Sequence, residues 1–93
     1  MEKICEVSNP ELVLKQLEKY YGDEVDLYLS TSKHKKYMVF DEKGKKVHFG
    51  DLRFSDYTKH QDKQRRNNFR NRNRRWADAD KYSPAHLSYY LLW

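Results

Sequence analysis

The sequence predicts an α+β domain: a small three-stranded, mostly antiparallel sheet with an N-terminal helix, an Arg-rich helix and a short C-terminal helix. Three observations predict it. A well-punctuated amphipathic segment comes first, three short runs of period two follow, and beyond Gly50 the period-two pattern gives way to helix signals.

The first helix is expected from about Pro10 to Tyr21. Ser8 and Asn9 are N-cap types, Pro10 suits the first turn, and Glu11 stands three residues after Ser8 as in a capping box. Leu12, Val13, Leu17, Tyr20 and Tyr21 recur at helical spacing, Glu11, Lys15, Glu18 and Lys19 form the wet side, and Gly22 can close the end. Val25, Leu27 and Leu29 then alternate with Asp26, Tyr28 and Ser30. Met38 and Phe40 alternate with Tyr37 and Val39, and Val47 and Phe49 with Lys46 and His48. Each run reads as a short strand. Asp41 to Lys45, with Gly44 inside, reads as the turn of a hairpin, Gly50 as the end of the third strand, and Lys33 to Lys36 as a basic loop. Asp56 or Thr58 can cap a helix that starts between Lys59 and Asp62 and runs to about Trp76. Ala77 to Lys81 is a polar connection. Ser83 and Pro84 then start a last short helix.

With 93 residues, the sequence predicts one small basic domain over residues 1–93. Its hydrophobic content of 38% is low for a globular domain, yet eight Tyr, four Phe and two Trp are more aromatics than a solvated tail carries. The net charge of +5 is unevenly placed. Residues 1–29 hold three Lys against seven acids, a balance of −4, and residues 30–93 hold sixteen Lys/Arg against seven acids, a balance of +9. Such halves attract each other or an oppositely charged neighbour. The single cysteine, Cys5, excludes an internal disulfide and fits a reducing compartment. No apolar run approaches the roughly 20 residues that span a bilayer, and the N-terminus lacks the pattern of a signal peptide. A protein kept inside a cell, or packaged in a particle built there, is the expectation.

The segment 62–76 carries the densest chemistry. Lys63, Arg65, Arg66, Arg70, Arg72, Arg74 and Arg75 stand against the lone acid Asp62, interleaved with Asn67, Asn68, Asn71 and Asn73. On a helix these cations point nearly all round, while Phe69 and Trp76 fall on one stripe. Three readings fit. Arginine forks suit phosphates, and asparagine can read base edges. The same cations suit an acidic protein partner. Or the helix is simply solvated and pinned to the core by Phe69 and Trp76.

Little in the chain points to catalysis. His34, His48, His60 and His86 are scattered, Cys5 is alone, and no paired N/S spacing suggests zinc. His60 and Asp62 could meet as base and orienter, but an isolated His-x-Asp is common by chance. There is no Gly-rich phosphate loop and no nucleophile elbow. The expectation is a binding protein, not an enzyme, without cofactor, metal or small-molecule substrate. The closing stretch Leu87 to Trp93 is heavily apolar. It can return to cover the sheet, or its aromatics Tyr89, Tyr90 and Trp93 can form a protein interface.

The run Gly44-Lys-Lys-Val-His-Phe-Gly50, then Asp56-Tyr-Thr-Lys-His60, Asp62 with Arg65 and Arg66, and last Tyr82-Ser-Pro and Leu87-Ser-Tyr-Tyr-Leu-Leu-Trp93, resembles a family of short uncharacterised proteins encoded by large double-stranded DNA viruses of algae and protists. The resemblance covers roughly Tyr37 to Trp93 and brings no activity or functional residues. It implies a viral origin and a role as a minor virion component, a genome-associated protein, or both. The leading expectation is a minor capsid or virion-associated protein that binds other virion proteins. Its expected location is the virion, or the cytoplasm or nucleus of the host, without secretion. A sequence-independent nucleic-acid binder acting through the Arg-rich helix is the alternative.

Overall fold

The computed structural model describes residues 2–93. The chain runs through α1 (Glu2–Val7), α2 (Pro10–Tyr21), β1 (Tyr28–Leu29), β2 (Lys35–Phe40), β3 (Lys46–Asp51), α3 (Tyr57–His60), α4 (Lys63–Arg72), a 3₁₀ segment (Arg74–Asp78), α5 (Pro84–Leu87) and a π-helical turn (Ser88–Leu92). The strands form one antiparallel sheet in the order β1-β2-β3, with Tyr28 opposite Met38 and Tyr37 opposite Phe49. The α+β class and all three expected groups of helices are present.

The α2 helix forms over the expected residues, and of its two cap candidates Asn9 serves. The Asn9 carboxamide accepts from the amides of Glu11 (3.1 Å) and Leu12 (3.4 Å), because Pro10 occupies the first helical position and leaves the cap to its predecessor. Ser8, read above as a cap, is instead buried in a turn after α1, a helix that no periodicity announced. The hairpin turn is as expected. Asp41 accepts from the amides of Lys43 and Lys45, and Gly44 sits at φ +79°.

Three strand boundaries differ from the sequence reading. Only Tyr28 and Leu29 of the first run pair with β2; Val25 and Leu27 pack half-buried against the core without ladder bonds. Lys35 and Lys36 belong to β2 rather than to a loop, since burial of the Lys36 charge is compensated by a partner described below. β3 runs through Gly50 to Asp51, with Gly50 at φ +83°. The helix expected up to Trp76 starts at Lys63, beside its expected start, but ends early, and a short separate helix precedes it. Gln61 takes a left-handed conformation at φ 55° between α3 and α4, and Asn73 leaves helical geometry before the 3₁₀ segment.

The core gathers Val13, Leu17 and Tyr21 from α2, Tyr37 and Val39 from β2, Val47 and Phe49 from β3, and Leu87, Leu91 and Leu92 from the C-terminal segment, with Ile4 of α1. The last segment thus returns over the sheet. Ser83 caps α5 by accepting from the His86 amide, and burial of Leu87, Leu91 and Leu92, at ~1.5–3 kcal/mol each, ties the end down.

Candidate nucleic-acid interface

α4 starts at Asp62, whose carboxylate accepts from the amides of Gln64 (3.0 Å) and Arg65 (3.2 Å). That geometry does not set the Asp62 carboxylate against His60 as an orienter. The contact between them is the Asp62 main-chain N–H donating to His60 Nδ1 (3.0 Å), while the carboxylate is taken by the cap. His60 Nε2 is closed off from solvent without a hydrogen-bond partner, and the ring sits against Trp93. Burial, and secondarily the Arg65 charge, pull its pKa below the ordinary histidine value.

The cations of α4 fall into two sets, not a ring. Arg66 and Arg70 turn inward: both Nε atoms donate to the main-chain oxygen of Trp93 (2.7 and 3.1 Å). Arg66 also lies over the Tyr57 ring (4.8 Å) and Arg70 over Tyr89 (5.0 Å). Arg65, Asn68, Phe69 and Arg72 share a neighbouring stripe within roughly 100° of arc. All four line an open cleft of about 980 Å³. The same cleft is lined by Lys35 and Gly50 from the sheet, by Phe54, and by Trp76, Leu92 and Trp93. Lys63, Arg74 and Arg75 are exposed outside it.

Its aromatic wall is a stack. Phe69 lies parallel on Trp93, with ring centres 4.3 Å apart and planes 7° from parallel, and meets Trp76 edge-on at 5.7 Å. Phe69 thus joins the helix to Trp93, which packs against the core, and Trp76 reaches it only through Phe69. Phe54 is different. It is 60% exposed at the rim, with the Arg53 guanidinium 5.4 Å from its ring centre. Asp51, also in the lining, is clasped by Arg53 through both carboxylate oxygens, which holds its carboxyl well below the usual range. Among the described residues the ion pairs are Lys36–Asp56 and Arg53–Asp51. No carboxylate among them pairs with a cation of α4.

The proposed aromatic interface residues are half-buried and engaged within the chain. Tyr90 packs on Tyr20 and His86, Tyr89 lies under Arg70, and Trp93 under Phe69. Cys5 is an exposed free thiol on α1. Lys35, Phe54 and Asn68 enter the cleft without having been singled out together. The i, i+3, i+7 spacing of Arg65, Asn68 and Arg72 was a usable signal; Phe54, on an irregular segment, carried none.

Among the described residues no helix is long and apolar enough to cross a membrane, and no three His, Cys, Asp or Glu side chains cluster as metal ligands do. No curated protein and no solved structure matches the chain. The model of a family of unknown function, DUF5754, matches residues 25–73, from just before β1 to just past α4. Since that match takes in the whole sheet, all of α4 and more than half of the residues, the chain belongs to the DUF5754 family.

Proposed function

We propose that this protein binds nucleic acid without sequence specificity, through the outward cations of α4 and the 3₁₀ segment after it. One observation carries the reading. Lys63, Arg65, Arg72, Arg74 and Arg75 are exposed and lack a carboxylate partner among the described residues, and two of them flank an aromatic cleft. A solvated helix held by salt bridges would show its arginines paired; these are left to an anion from outside. Phosphates fit them, since each guanidinium offers a planar fork of donors. Asn68 beside them adds an amide able to donate and accept. Sequence independence follows from contacts that are mostly with charge.

The test is the salt dependence of binding. Five engaged cations correspond to a slope of log K against log salt of roughly −3.5 on a single strand and −4.5 on duplex DNA. Changing Arg72, Arg74 and Arg75 together to Gln leaves the fold intact and flattens that slope by about 2 to 3. Absence of binding to DNA and RNA at ~50 mM salt, where non-specific contacts are strong, removes the reading.

A second reading, a minor virion protein docked on other virion proteins, draws on a different surface. Tyr28, Leu29 and Phe40 are exposed large apolar residues, Tyr28 and Phe40 meet edge-on at 5.5 Å, and Glu24, Asp26, Asp41 and Glu42 share a smaller recess with that aromatic pair. An apolar patch with an acidic rim suits a basic protein neighbour. A fixed copy number in purified particles, measured by mass spectrometry, supports this role; presence in infected-cell lysate alone removes it.

A further inference from the structure

We infer that the cleft between α4, the sheet and the C-terminal segment takes the unpaired bases of a single strand, so that the protein prefers single-stranded to duplex nucleic acid. The inference rests on the nucleic-acid reading and names the substrate of that site.

The lining divides by chemistry. Arg65, Arg72 and Lys35 supply positive charge, and Phe54, Trp76 and the Phe69–Trp93 stack supply ring surface. The one carboxylate in the lining, Asp51, is neutralised by its clasp with Arg53. Lys36, also in the lining, brings only its alkyl stem, because its ammonium is turned to Asp56. A site of this composition combines attraction for a phosphate chain with platforms for flat aromatic ligands. Charge alone would be served by the exposed arginines outside the cleft; the rings add nothing for a ligand that presents only phosphates.

Spacing suits a polymer. Arg65 and Arg72 lie seven residues apart on one face, about 10 Å along the helix axis, so each can hold a phosphate of its own. They suit successive phosphates of a strand whose bases turn into the cleft. A volume of about 980 Å³ is at the upper end for a drug-sized ligand, and the recess is open to solvent. In a duplex the base faces cover one another, so a recess reaches them only in a single strand. Phe54 marks the entrance. It is the most exposed large apolar side chain described in the chain, and it holds a ring in solvent at the mouth of a cationic groove.

The experiment compares a fluorescently labelled oligothymidylate with the same strand annealed to oligoadenylate, by anisotropy at one salt concentration. Native protein is expected to hold the single strand at least about fivefold more tightly, with quenching of tryptophan emission from Trp76 and Trp93 as bases stack. Phe54→Ala weakens the single strand roughly 5- to 100-fold, one stacking contact, and leaves the duplex unchanged. Phe54→Leu, which keeps apolar bulk without a ring, gives the same loss if the alanine variant does not fold. Arg65→Gln with Arg72→Gln weakens both ligands. Equal affinity for the two ligands with no effect at Phe54 overturns the cleft inference and leaves nucleic-acid binding standing. Failure of both ligands to bind removes both readings. Polyglutamate competing as well as oligothymidylate, with the same dependence on Phe54, assigns the cleft to an acidic protein instead.

Discussion

Lys36 Nζ lies 2.9 Å from Asp56 Oδ2, with both side chains almost wholly enclosed at 2% and 1% exposure. The pair ties β2 to the start of α3. Around it a polar chain closes: Lys36 Nζ also donates to the Val7 main-chain oxygen (3.3 Å), Thr58 donates to Asp56, and Tyr37 donates to Ser8 (2.8 Å), which meets Thr58 at 3.2 Å. One buried polar network thus links α1 and α3 to the sheet, beside the apolar contact of Ile4 with the core. Burial of Tyr37 in it also pushes that phenol above the ordinary tyrosine range.

Removing one partner leaves the other charged and buried, which costs about 3–5 kcal/mol. Against a total of ~5–10 kcal/mol for a domain of this size, Lys36→Met or Asp56→Ala is expected to remove roughly half of the stability. The double variant Lys36→Met, Asp56→Leu is expected to be much more stable than the sum of the single losses, because no lone charge is left behind. Urea unfolding of the three variants measures this. Simple additivity would mean that the pair is not coupled in solution.

Gly50 and Gly44 separate backbone strain from packing. Both have φ near +80°, which an L side chain adopts at a cost of about 1–2 kcal/mol. A Cβ at Gly44 would meet open space, whereas one at Gly50 would lie 3.0 Å from Leu92 and from the Lys36 stem. Gly50→Ala is expected to cost at least ~1 kcal/mol more than Gly44→Ala, in line with overpacking of a filled site. Equal losses in thermal unfolding would show that Lys36 and Leu92 yield freely.

Two histidines are shifted the same way. His60 and His86 have pKa values below the ordinary 6.5, chiefly through burial, with Arg65 and Lys81 adding to the effect. The unfolded chain then binds protons more readily than the folded one. Their contribution to stability is complete above pH 6.5 and is lost as pH falls through the folded values. The urea midpoint should decline as pH is lowered from 7 toward 5, and His60→Gln with His86→Gln should flatten that decline. The Asp51 carboxyl, whose pKa lies far lower, acts only in stronger acid. An unchanged slope in the double variant would assign the decline to other groups.

The parts of this fold that were legible in the sequence are those set by local chemistry. Asn9-Pro10 starts α2, Asp41 and Gly44 shape the hairpin, Ser83-Pro84 starts α5, and period two marks β2 and β3. What escaped reading depends on long-range partners. Lys36 looks like a loop lysine until Asp56, twenty residues on, accounts for its burial. Ser8 looks like a cap until Tyr37 and Thr58 claim its hydroxyl. The break at Gln61 has no Gly or Pro to announce it. For the site, the cationic helix was plain, but which of its arginines face outward was decided by Trp93, at the far end of the chain.

That division gives the sharpest prediction. Arg66 and Arg70 bind the Trp93 main-chain oxygen and cover Tyr57 and Tyr89, so they stabilise the packing of the C-terminal segment. Arg65 and Arg72, one stripe away, line the cleft and have no carboxylate partner among the described residues. Arg66→Gln with Arg70→Gln removes two charge-assisted hydrogen bonds in a half-exposed setting and is expected to cost about 1–3 kcal/mol in urea unfolding. The salt slope for nucleic acid should stay unchanged. Arg65→Gln with Arg72→Gln should do the reverse. Stability stays within ~0.5 kcal/mol, as for exposed side chains, while the slope becomes shallower by about 1.4 to 1.8, two phosphates' worth. Both measurements are needed, because the four residues are chemically identical and adjacent on one helix. If the inner pair flattened the slope as much as the outer pair, Trp93 would have to release them on binding, and the cleft would be wider in the complex than in the free protein.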